Sequence, residues 1–119
     1  MPNLYVIGLT PAECQQFSSL AAAFFERDLA TPRQSVYTFR REVTLFRDGA
    51  HADLPTIIEV SWIRRPREHF AKAVAALTRI VKEDLGRTGS VQVELREKWD
   101  DAAIDGELCS DWATRVRKI

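Results

Sequence analysis

Two stretches of this chain repeat one order of signals: a short β-rich run, a proline-started helix with one apolar stripe, and a second β-rich run. The first run is Leu4 to Leu9, in which Tyr5, Val6 and Ile7 favour a strand. Thr10-Pro11-Ala12-Glu13 then starts a helix. Thr10 suits the cap, Pro11 the first helical position, and Glu13 can close a capping box. Phe17, Leu20, Ala21 and Phe24 follow at helical spacing, and the helix is expected to fade near Leu29, before Thr31-Pro32. Val36 to Phe46 is the second β-rich run, with charge on both faces through Arg40, Arg41 and Glu42. Arg47-Asp48-Gly49 ends it with turn chemistry, and a loop is expected through His51 to Leu54.

In the second stretch Pro55 opens the strand PTIIEVSWI. A helix starts near Pro66, with Phe70, Ala73, Val74, Leu77, Ile80 and Val81 as its stripe and Gly86 as its stop. Val91, Val93 and Leu95 alternate with Gln92, Glu94 and Arg96 as a final strand. Pro11 to Val36 and Pro66 to Val91 are both 25 positions apart.

The doubling predicts an α+β fold: two pseudo-repeated β-α-β units, each right-handed with parallel strands. Side by side they form a four-stranded mixed sheet with both helices on one face. One domain spans 1–119, with repeat one at about 2–46, repeat two at about 55–98 and a weakly patterned tail at 100–119. The bare sheet face is expected to meet other subunits through Arg40, Glu42, Gln92 and Glu94, with Trp112 docking the tail. An ion pair between Arg40 and Glu59 is a further expectation.

Composition narrows the function. Seventeen basic residues balance seventeen acidic ones, so no global field points to nucleic acid or a membrane surface. No apolar run is long enough for a span, and the N-terminus has no signal-peptide pattern. Cys14 and Cys109 are the only cysteines. They form no metal-binding pattern and are expected as unpaired thiols in a reducing cytoplasm. His51 and His69 lack a partner at metal spacing and are expected on the surface. There is no phosphate loop and no nucleophile elbow, so neither a cofactor nor a metal is expected.

Pro2 directly after Met1, two β-α-β repeats and this length together resemble the tautomerase superfamily, that is, 4-oxalocrotonate tautomerase and macrophage migration inhibitory factor. The segment FRDGAHADLPTIIEVSWIRRPREHFAK is most similar to a domain-of-unknown-function branch of it. The resemblance covers roughly Pro2 to Trp99. It implies a homotrimer with its sheets around a central barrel. It also implies an N-terminal proline, freed of Met1, acting as general base or acid, with arginines and aromatics completing the site.

Transfer of individual residues is partial. Tyr37 stands where the single-repeat enzyme has a substrate-binding arginine, and Gln92 and Glu94 replace a tyrosine and an asparagine. Arg64, Arg65 and Arg67 match an arginine cluster at the end of the third strand in other branches. The candidate residues are therefore Pro2 as the catalytic group, with Arg64, Trp62, Tyr37, Arg40 and Arg65 for substrate binding. Antiparallel pairing of the first and third strands would bring Trp62, Ile63 and Arg64 to Pro2.

Each candidate also has a structural reading: Pro2 as a plain strand start, the arginines as a solvated loop, Trp62 and Tyr37 as packing. Two functions follow. One is an isomerase-like proton transfer or hydration on a small keto, enol or unsaturated carboxylic acid. The other is a non-catalytic trimeric binding or structural protein on the same scaffold.

Overall fold

The helix that Thr10-Pro11-Ala12-Glu13 announces begins where the cap predicts. In the computed structural model, which describes residues 2–98 and 103–108, α1 spans Pro11–Leu29. Thr10 Oγ1 accepts from the Glu13 N–H at 3.2 Å, and Glu13 Oε1 accepts from the Thr10 N–H at 2.9 Å. The helix ends at Ala30, which turns left-handed (φ 49°) and donates its N–H to Phe25 O. Its inner stripe buries Cys14, Phe17, Ala21, Phe24, Phe25 and Leu29.

Four strands form the main sheet: β1 (Asn3–Ile7), β2 (Tyr37–Arg41), β5 (Thr56–Ile63) and β6 (Val91–Lys98). Their order is β2-β1-β5-β6. β1 runs parallel to β2 and β5 parallel to β6, while β1 and β5 are antiparallel. Each half is thus one β-α-β unit. α2 (Arg67–Arg79) starts after Pro66 without a side-chain cap and runs on into a π-helical turn, Ile80–Asp84. Gly86 follows at positive φ (67°), and the Arg87 N–H returns to Val81 O at 3.1 Å.

Alternation along the strands separates two faces. Leu4, Val6, Ile58 and Val60 are buried against the helices with Phe17, Phe25, Ala73, Leu77 and Val81. Removing a ring as buried as Phe25 costs about 3–5 kcal/mol. The open face carries Tyr5, Phe39, Glu59 and Arg96. Phe39 stacks on Tyr5 at 5.0 Å, and the Arg41 guanidinium lies 4.3 Å from the Tyr5 ring centre. Tyr37 and Phe39 remain 48% and 44% exposed.

The expected strand Val36–Phe46 is two elements. β2 ends at Arg41, where its register with β1 ends at Ile7. A separate hairpin, β3 (Leu45–Arg47) and β4 (Ala50–Ala52), turns through Asp48 and Gly49, both at positive φ (49° and 80°). This is the turn chemistry of a two-residue Asp-Gly hairpin, and it takes His51 out of the expected loop. After β6 a second hairpin, β7 (Ala103–Ile104) and β8 (Glu107–Leu108), turns through Asp105 and Gly106 at φ 51° and 78°. Arg41 and Lys98 are 57 positions apart, as are Asp48 and Asp105, so the repeat unit includes its hairpin. Trp112 and Cys109 lie outside the described residues.

Candidate functional site

Antiparallel pairing decides what surrounds Pro2. β1 and β5 pair Asn3 with Ser61, and one further step sets Pro2 beside Trp62. Pro2 is less than 2% exposed, and its carbonyl accepts the Tyr37 N–H at 3.2 Å. Trp62 is 1% exposed and meets Phe25 edge-on, with ring centres 5.2 Å apart.

The arginines after Trp62 part ways. Arg64 is half-exposed and donates from Nε to Glu97 Oε2 at 3.2 Å. Glu97 sits opposite Trp62 on β6. Arg65 turns inward, its guanidinium carbon 4.9 Å from the centre of the Trp62 ring, a cation–π arrangement. Burial pushes its pKa down from the ordinary guanidinium value. The first turn of α2 follows, with His69 partly buried. Trp62 Nε1, Arg65 Nε and His69 Nδ1 are all buried without a hydrogen-bond partner among the described residues.

Of the residues singled out in the sequence, Pro2, Trp62, Arg64 and Arg65 fall at one end of the sheet. Tyr37 reaches this end through its backbone, while its ring lies on the open face 6.4 Å from Phe39. Arg40 does not reach it. Arg40 pairs in register with Val6 and donates from Nε to Leu9 O at 2.7 Å, on the helix side and at the opposite end of β1. The expected Arg40–Glu59 pair is absent for the same reason: the two lie on opposite faces, Arg40 bonds Glu42 and Glu59 pairs with Arg96 at 3.4 Å. His69 was expected on the surface. No sequence signal marks it, because only packing turns Arg65 toward Trp62 next to the start of α2.

The opposite end of the sheet holds a groove of about 630 Å³ beneath the β3–β4 hairpin, lined by Gly8, Leu9, Thr10, Arg40 and Arg87 among others. Its cations are already engaged. Arg87 makes two bonds to Glu13, at 2.6 and 2.8 Å, and this bidentate pair brings the Glu13 pKa down to about 2. Cys14 is buried on the inner face of α1, and burial pushes its thiol up. No cluster of three metal-ligating side chains occurs among the described residues, and no helix among them is long and apolar enough to cross a membrane.

No family model matches the chain, and no curated protein is similar to it. Solved structures are. A domain of unknown function (DUF1904) from Sebaldella termitidis is 24% identical, superposes with a TM-score of 0.80, and aligns over 89% of this chain and 97% of its own. Pt0534 inactivated by 2-oxo-3-pentynoate is 18% identical with a TM-score of 0.71, and a fused 4-OT symmetric trimer 23% identical with 0.69. Both cover 94% of this chain and 97% of their own. At such identities the shared property is the fold: the chain has the two-helix, four-stranded fold of the DUF1904 domain and the fused 4-OT structures, as the sequence resemblance implied.

Proposed function

We propose that the protein is a tautomerase-like enzyme whose Pro2, freed of Met1, is the general base on a small enol or keto carboxylic acid. The observation that carries this reading is the placement of Pro2 beside a buried tryptophan that an inward-facing arginine covers. A free α-amine has a pKa near 8. Apolar walls and a cation both push such an amine down, toward the range where it accepts and returns a proton at neutral pH. Pro2 takes the enol O–H proton and delivers a proton to the β-carbon: the O–H bond breaks, C–O becomes C=O, and C=C becomes a C–C single bond with a new C–H. Trp62 excludes water. Arg65, with Arg64 at the rim, holds the carboxylate.

Assembly is part of the proposal. The open sheet face exposes Tyr37 and Phe39, and the fused 4-OT structures are trimers. A homotrimer that covers this face is expected, and light scattering at micromolar concentration checks it. A monomer mass overturns it.

The catalytic test combines intact mass, phenylenolpyruvate ketonisation, and labelling with 2-oxo-3-pentynoate, the compound that inactivates Pt0534. Chain lacking Met1 is expected to turn over the enol and take one label at Pro2. Absence of both turnover and label overturns the enzyme reading. The second reading, a non-catalytic binding protein, draws on the near-complete burial of Pro2, and retention of Met1 in the native protein favours it.

A further inference from the structure

Among the described residues, the start of α2 leaves three polar atoms unsatisfied within eight positions: Trp62 Nε1, Arg65 Nε and His69 Nδ1. A buried donor without a partner costs about 1–3 kcal/mol, so three together need an explanation. A fourth such atom, Thr38 Oγ1, lies apart on β2. The carboxylate beside Trp62 in register, Glu97, is bonded to Arg64. Pro66 at the cap position supplies no side-chain oxygen to the helix start.

The chemistry of the set is selective. The indole N–H and the guanidinium only donate, and imidazole Nδ1 donates in one tautomer. Two obligate donors and a positive charge disfavour a metal cation. A helix N-terminus adds a further attraction for negative charge. We propose that His69 and the indole N–H of Trp62 act with Arg65 as one cradle for a carboxylate, and that His69 is a specificity-determining residue of the Pro2 site. This rests on the reading of that site as one for small organic acids. The equivalent start of α1 has no such vacancy in its bonding, because Thr10, Glu13 and Arg87 satisfy one another there.

The test uses the full chain and a carboxylate that cannot tautomerise in the assay, phenylacetate, with methyl phenylacetate as the uncharged control. Nitrogen-15 NMR follows the Trp62 indole N–H, assigned through Trp62→Phe, and the His69 ring. Phenylacetate is expected to shift both resonances saturably, and the ester neither. His69→Ala is expected to weaken phenylacetate about tenfold, the loss of one hydrogen bond to a charged group. His69→Gln, which keeps a donor, is expected to recover most of that. Failure to bind, binding with both resonances still, or unchanged affinity in His69→Ala overturns the cradle. Turnover of enol acids with an unchanged KM in His69→Ala overturns the cradle but not the enzyme. Shifted resonances without any turnover overturn the enzyme but not the cradle.

Discussion

The two helix starts occupy equivalent places in the repeat, yet they are built in opposite ways. At the start of α1 a capping box is locked by a bidentate arginine, and Gly8 passes so close to the residue before β5 that a Cβ there would collide with Pro55 O. At the start of α2 the residue beside Pro2 is a tryptophan, the cap is a proline, and three polar atoms go unmatched among the described residues. One end is closed by its own bonds and the other is not. On the proposed reading, the end that its own bonding leaves open is the reactive one.

The largest expected effect separates chemistry from stability. Pro2→Ala should lower kcat/KM by about 10²–10⁴, the usual contribution of a positioned acid or base, with unchanged thermal unfolding. A matching loss of stability would mean that Pro2 is a packing residue and that the two ends do not differ. Gly8→Ala is the converse. With φ at 95° and Pro55 O in the way, it should destabilise by about 2–3 kcal/mol in urea unfolding, with kcat and KM of the folded fraction unchanged.

Glu13→Gln sharpens the comparison through pH. The folded carboxyl titrates at about 2 against 4.5 unperturbed, so its stabilisation is full above about pH 4.5 and disappears as pH falls toward 2. Solvent reaches both partners, which reduces the effect to about 1–2 kcal/mol. Urea midpoints at pH 7 and pH 2.5 should therefore differ less in Glu13→Gln than in the parent chain. The smallest effects belong to the hairpins. Gly49→Ala and Gly106→Ala each meet open space at positive φ, so Gly49→Ala should cost about 1 kcal/mol. A similar value for Gly106→Ala would support a repeat that includes both hairpins.

Much of the frame was legible. Thr10-Pro11-Ala12-Glu13 and the stripe from Phe17 to Phe24 describe α1 because capping and burial act over a few neighbouring residues. The same holds for Val91 to Arg96. The end of β2 at Arg41 was not legible, because β1 sets it by turning away at Gly8, more than thirty positions earlier. The sequence marks an arginine cluster after Trp62, but adjacent residues leave a strand in different directions, and only packing shows Arg65 turning in while Arg64 meets Glu97. Arg87 and Glu13 are 74 positions apart, beyond any local signal. Repetition of Asp-Gly at 48–49 and 105–106 was present in the sequence and would have revealed the hairpins.

Antiparallel pairing of β1 with β5 sends the two helix starts to opposite ends of the sheet. From Pro2 to Ile7 the chain covers five extended steps, about 17 Å. Perturbations that far apart add almost independently. Gly8→Ala combined with His69→Ala should therefore give the sum of their separate effects, stability from one and affinity from the other. The molecule is insulated along its own strands, so residues at the Pro2 end can drift toward new acids while the locked end goes on holding the fold.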